Sequence, residues 1–250
     1  ALKARNQIKE RLRIILHKHW SGEVSDGVKE LELEDCGDLS HILFEDNMVI
    51  DSKNNNKIKF TEALGLAYMN RVSLGGYAHF KTKGIGFDKE KSVGKPFNYF
   101  TNGAAVCEVE IDEFTGELKV LTTDILMDLG RPINPGIDQG QVTGAFIQAM
   151  GWVTQESLYF SDKGKLLSHS PTTYKIPNIQ DTPRKFSVNF IENNNNHQCV
   201  HRSKAVGEPP FLLGISVFLA IKNALSYRKG KVDLKSPATN ERILEALYKE

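Results

Sequence analysis

The stretch RSKAVGEPPFLLGISVFLAIKNAL, residues 202–225, decides how this chain is read. Glu208 stands directly before Pro209 and Pro210, and an almost unbroken apolar run follows. Pro209 biases Glu208 toward extended backbone. The missing N–H groups of the two prolines cost nothing in a first helical turn, where they would be unpaired anyway. The carboxylate is therefore expected just outside the N-terminus of a buried helix. Two readings are open. One is a charge–dipole contact worth ~0.3–1 kcal/mol. The other is a rigidly held base, kept ionised by the dipole and made more basic by burial.

The surrounding chain sets bounds on both readings. Its 250 residues suffice for one large domain or two subdomains with a real core. A net charge of +1 offers no electrostatic reason to bind nucleic acid or an anionic membrane. The longest apolar run, residues 211–221, is too short for a membrane span, and no signal peptide opens the chain. Cys36, Cys107 and Cys199 are far apart and odd in number. They fit a reducing, cytoplasmic setting better than a disulfide framework. Without a C-x-x-C pair the chain is not expected to hold an iron–sulfur cluster itself. It opens on alanine inside a helical pattern, as a piece of a longer protein would.

Ala4, Ile8, Leu12 and Ile15 predict an amphipathic helix ending near Trp20. Residues 22–56 read as acidic, then polar, ending in a loop at SKNNNK. Thr61 is a candidate cap for a short helix carrying Leu64, Leu66, Ala67 and Met69. RVSLGGYAHF (71–80) reads as a strand and 81–96 as an exposed connection. Alternation at Ala105, Cys107, Val109 and Ile111, the turn DEFTGE and a second run over 118–127 predict a hairpin with one buried face. Asn134 as N-cap and Pro135 at the first position start a helix over about 135–155. SDKGK (161–165) is a turn. KFSVNFIENNNNHQCVHRS reads as strand, Asn-rich loop and second strand, and Thr239 caps a terminal helix. Hairpins mixed with helices, without βαβα alternation, predict an α+β fold of mixed β-sheets with packed helices. One domain over 1–250, with an approximate subdivision near 95–100, is expected. No G-x-G-x-x-G and no P-loop occurs.

Besides Glu208, one helix face stands out. Gly140 and Gly144 are one turn apart, with Gly151 two turns on. Each glycine costs a helix about 1 kcal/mol relative to alanine, so a close approach to that face is implied. It is either tight helix-on-sheet packing or a flat polar ligand, to which the Gln141 amide could both donate and accept. Ala145 and Gln148 share the neighbouring face. SPTTYKIP (170–177) reads as a rigid loop. His197, Cys199 and His201 alternate and would share a strand face, a weak zinc pattern lacking a fourth ligand. His17 and His19 read as surface residues.

Taken together these motifs resemble the xanthine dehydrogenases, a family of molybdenum hydroxylases. YFTNGAAVCEVEIDEFTGELKVL, GRPINPGIDQGQVTGAFIQAMGW, PTTYKIP, the opening stretch and SPATNERI resemble that family's C-terminal segment, in the same order. The likeness is closest to the bacterial type, whose molybdenum-binding portion is a separate subunit. It is weakest over 22–56 and 81–93. It implies the second half of a molybdopterin-binding domain. Glu208 matches the family's catalytic base, which takes a proton from the metal-bound hydroxyl as a purine C–H carbon is attacked. Gln141 matches the glutamine that contacts molybdopterin, with Gly140 and Gly144 making room for it.

The resemblance further implies oxygen from water and electrons leaving through Fe-S clusters to FAD and NAD, held on other segments or subunits. The partners it implies are the upstream half of the molybdopterin-binding subunit, an Fe-S/FAD subunit and a purine such as hypoxanthine or xanthine. No metal ligand is assigned to this chain. Substrate-binding residues are expected upstream, so the chain alone is expected to be inactive. A relative acting on aldehydes or another N-heterocycle is the near alternative. A non-catalytic scaffold domain and a hairpin metal module are the others.

Overall fold

The computed structural model describes residues 1–24 and 36–249. Residues 25–35, within the acidic part of the segment 22–56, lie outside the described residues. The chain divides into two compact units, residues 1–83 and 84–250, earlier in the sequence than the approximate subdivision near 95–100. Both units are α+β, with helices packed on an antiparallel sheet in the first and on a mixed sheet in the second.

The first unit opens with α1 (Leu2–Trp20), whose Leu12, Ile15 and Leu16 are buried as the periodicity requires. A three-stranded antiparallel sheet follows, β1 (Ile42–Glu45), β2 (Met48–Asp51) and β3 (Lys57–Lys59), paired in that order. The expected SKNNNK loop joins β2 to β3, with its last residue already in β3, whereas strands β1 and β2 were not anticipated in the acidic-to-polar segment 22–56. Asp46 and Asn47 both take positive φ, 46° and 60°, as a two-residue hairpin turn of the type I′ kind demands. Asp51 is buried and accepts from the Lys53 and Asn54 N–H groups at 2.9 and 3.2 Å, which closes the next turn. Helix α2 (Phe60–Met69) starts one residue before Thr61, with Lys59 as its cap and Lys59 N–H donating to Glu62 Oε2 at 3.3 Å. Thr61 is inside the helix.

Residues 71–80 form no strand. Arg11 Nη1 donates to the carbonyls of Ser73 and Gly75, at 2.9 and 2.6 Å, so a side chain takes the acceptors a sheet ladder would need. His17 and His19 are half-buried rather than on the surface.

The second unit begins with the exposed hairpin β4 (Gly86–Asp88) and β5 (Val93–Lys95), inside the segment read as a plain connection. The hairpin β6 (Gly103–Ile111) and β7 (Leu118–Met127) forms as predicted, with a bulge between Glu108 and Val109. Helix α3 (Pro135–Thr154) then leads to β8 (Lys185–Phe190), which pairs parallel to β7. That makes one βαβ crossover, with α3 covering the sheet.

The expected second strand near 199–203 is instead a 3₁₀ turn, Val200–Arg202, touching the sheet only through a bridge between Gly130 and Ser203. His201 at φ 54° breaks the extended run. The shared face proposed for His197, Cys199 and His201 is therefore absent. Among the described residues no cluster of three or more His, Cys, Asp or Glu suits a metal ion.

The opening stretch folds as a 3₁₀ segment, Pro209–Gly214, continuing into α4 (Ile215–Lys229). The joined helix, Pro209–Lys229, has 21 residues and by length and composition alone is long and apolar enough to cross a membrane, contrary to the sequence expectation. Its inner face is nevertheless accounted for, because Val217, Ile221 and Leu225 are buried in the core with Ile125, Met127, Val142 and Phe146. Helix α5 (Asn240–Tyr248) closes that core with Ile243, capped by Thr239 Oγ1 accepting from Arg242 N–H at 3.4 Å.

Candidate active site

Helix α3 is placed by its own start. Asn134 Oδ1 accepts from Ile137 N–H at 3.3 Å, and Pro135 occupies the first turn. Val142, Phe146 and Met150 then face the core. Gly140, Gln141, Gly144 and Gln148 consequently lie on the opposite side, along a cleft of about 1430 Å³. The far wall carries Ala205, Gly207, Glu208 and Leu212, and a third wall carries Phe97, Tyr99 and Phe100. A Cβ built on Gly207 would sit 3.5 Å from Gln141 Oε1, so the two polar walls approach each other closely.

The structure brings Glu208, Gln141, Gly140 and Gly144 to one cleft. It corrects the expected backbone of Glu208. Residue 208 has φ −99°, ψ −39°, helical rather than extended. Its carbonyl accepts from Phe211 N–H at 3.0 Å, and this first 3₁₀ bond outweighs the pre-proline preference. The carboxyl is also exposed to the cleft rather than enclosed. Neither the Glu208 carboxylate nor the Gln141 amide has a hydrogen-bond or ionic partner among the described residues.

The apolar run is buried on one side only. Leu212 is 68% exposed and Leu219 58%. The 3₁₀ segment is fastened to α3 at two points. A Cβ on Gly214 would collide with that of Ala149, and the Phe211 and Trp152 rings lie 5.7 Å apart.

The glycine face divides. Beside Gly140 and Gly144 nothing lies within 4 Å of a built Cβ, so both open on the cleft. At Gly151 the same atom would strike Pro177 of the PTTYKIP loop. That loop lies outside the cleft. Its Ser170 and Thr172 hydroxyls bond each other at 2.8 Å, and Tyr174 donates to Glu156 Oε2. This bond, then burial, then the Glu156 charge, push the Tyr174 hydroxyl above its ordinary range. The aromatic wall was missed in the sequence. Its signal was three aromatics within the four residues 97–100, directly before β6.

A family model for the molybdopterin cofactor-binding domain matches residues 1–183. The chain belongs to that family. The match takes in Gly140, Gln141 and Gly144 and ends before Glu208. Xanthine dehydrogenase 1 of Arabidopsis thaliana is 42% identical over 214 residues, which are 80% of this chain and 16% of that protein. The chain thus spans about a sixth of the length of that relative. Among solved structures, quinoline 2-oxidoreductase of Pseudomonas putida 86 superposes over 98% of this chain and 28% of its own, with a TM-score of 0.67 at 22% identity. The aldehyde oxidoreductase of Desulfovibrio gigas covers 66% of this chain and 17% of its own, with a TM-score of 0.56 at 28% identity. The chain is therefore a molybdopterin-binding domain related to the xanthine dehydrogenases.

Proposed function

We infer that this domain contributes one wall of the active site of a molybdenum hydroxylase acting on purines, with Glu208 as its proton acceptor and Gln141, Gly140 and Gly144 against the cofactor. The observation that carries this reading is that Glu208 and Gln141, far apart in sequence, line one cleft with their polar groups unpaired among the described residues. The residues fit a molybdopterin. Gly140 and Gly144 leave the helix backbone bare where a side chain would fill the cleft, and Gln141 offers both a donor and an acceptor.

When bound, that cofactor supplies the oxygen-transfer and two-electron chemistry. The net reaction joins a substrate C–H and water to give C–OH, two protons and two electrons. The electrons pass to Fe-S, FAD and NAD on other segments or subunits. Glu208 accepts one proton at its carboxylate, held in place by the 3₁₀ turn packed on α3. Gln141 orients the cofactor, and Phe97 and Phe100 narrow the cleft on another side. The upstream part of the subunit supplies the substrate-binding residues, so the isolated chain neither retains the cofactor nor turns over. A cytoplasmic location accords with Cys107 and Cys199 engaging Ser216 and Asn98 rather than a disulfide.

In the complete enzyme, Glu208→Ala should lower turnover by roughly 10²–10⁴-fold with molybdenum content unchanged. Unchanged turnover would leave Glu208 a scaffold residue. The likeness to an aldehyde oxidoreductase at 28% identity favours a second reading, oxidation of aldehydes. Parallel assays of the complete enzyme with hypoxanthine and with an aromatic aldehyde separate the two.

A further inference from the structure

Two buried side chains stand behind the cleft without touching it. Asp128 directly follows β7, and Lys204 directly precedes the Ala205–Glu208 wall. Lys204 Nζ lies 2.6 Å from Asp128 Oδ2, with the two side chains 8% and 9% exposed. Asn193 Nδ2 donates to the same oxygen at 2.8 Å, and Gly130 N–H donates to Oδ1 at 2.8 Å. Burial alone would raise the Asp128 carboxyl. The bonds from Lys204, Gly130 and Asn193 outweigh it and hold the group below its usual range, so it is ionised at neutral pH.

The backbone repeats the tie. Lys204 N–H donates to Leu129 O at 2.8 Å and Arg131 N–H to Arg202 O at 3.1 Å. Gly130 takes φ 65°, and a side chain there would collide with Arg202 O. His201 and Arg202 are consecutive non-glycine residues at φ 54° and 63°. Such conformations persist only where the surroundings over-determine them.

The two partners belong to different walls. Asp128 directly follows β7, from which the chain leads through the Asn134 cap into α3, which carries Gln141. Lys204 leads into the segment that carries Glu208. A buried ion pair is poor evidence for net stability, because an apolar pair of similar volume often serves as well. What it adds is direction, since each charge accepts few alternative partners. We propose that the Asp128–Lys204 pair is a positioning clamp that sets the distance and orientation of Glu208 relative to Gln141. The inference rests on the reading of those two residues given above.

The test uses the complete enzyme. Lys204→Met and Asp128→Asn should each lower kcat per bound molybdenum by roughly 10²-fold, the scale of a misplacement near 1 Å, with KM for xanthine or aldehyde little changed. Lys204→Arg should restore most of the loss. Asp128→Asn/Lys204→Met should be no worse than Lys204→Met, which leaves a carboxylate buried alone. Amide hydrogen exchange over 200–211 should quicken in both single variants. If Lys204→Met yields no soluble enzyme, Asp128→Asn decides alone.

The clamp is overturned if kcat per molybdenum and exchange both match wild type. It is equally overturned if turnover falls only in step with molybdenum content, the mark of a merely structural role. Should Glu208→Ala leave turnover intact, the reading of Glu208 fails, and exchange alone then judges whether the pair fixes this segment.

Discussion

The two ends of helix α3 carry the same residue type for different reasons. At Gly140 and Gly144 the helix backbone faces empty space in the cleft, and at Gly151 it is covered by Pro177 and by Glu156 Oε1, 2.9 Å from a built Cβ. A glycine costs a helix about 1 kcal/mol relative to alanine wherever it stands. At Gly151 the protein recovers that cost internally, through close packing of its own loop. At Gly140 and Gly144 the described residues provide no such return, which is what a surface kept bare for a ligand should show. Sequence periodicity alone groups all three glycines on one face, and only the neighbours separate them.

The largest effect should come from the packed end. Gly151→Val forces branched carbons into Pro177 and should destabilise the chain by about 1–3 kcal/mol, the usual range for overpacking. Thermal or urea unfolding measures it. An unchanged midpoint would mean that the 170–177 loop is not seated on α3.

Gly144→Ala should act in the opposite direction. With nothing within 4 Å of the added methyl, helix propensity alone predicts a gain of up to about 1 kcal/mol. In the complete enzyme the same substitution should weaken retention of the molybdenum cofactor, read as metal per subunit after gel filtration. Stabilisation together with cofactor loss is the signature of a glycine kept for a ligand. Stabilisation with full metal content would remove Gly144 from the cofactor-binding set.

How much of this was legible in the sequence follows from the range of each signal. Helices α1, α3 and α5 and the β6–β7 hairpin announce themselves through periodicity, Asn134 and Thr239 caps and a DEFTGE turn, all within a few residues. The three short strands of the first unit do not, because Asp51 and the lysines of β3 break the apolar alternation. Asp46-Asn47 was the available clue. Residues 71–80 had strand composition, but no strand among the described residues pairs with them, and Arg11 claims the Ser73 and Gly75 carbonyls. Glu208, Gln141, Gly140 and Gly144 stood out from local pattern and took their roles from motif likeness, whereas the Phe97, Tyr99 and Phe100 wall of the cleft was not named. The Asp128–Lys204 pair could not be, since nothing local marks two charges so far apart as partners. The helical backbone of Glu208 likewise follows from its bond to Phe211, against a pre-proline preference that points the other way.

The smallest effect should again distinguish the two ends of α3. Tyr174 donates to Glu156 at the packed end, and its hydroxyl is held above the ordinary tyrosine range chiefly by that bond. A raised pKa means the protonated form is preferred in the folded chain. Its contribution to stability is therefore complete below the unfolded tyrosine value of about 10, and it disappears as pH rises through the higher folded value. Tyr174→Phe removes the donor. The variant should unfold slightly more easily than wild type at neutral pH, and the gap should close in alkali once Tyr174 ionises. Cofactor content of the complete enzyme should not change, because Tyr174 lies outside the cleft. A Tyr174→Phe enzyme that loses molybdenum while keeping its unfolding midpoint would move the PTTYKIP loop from the packing end of the comparison to the ligand end.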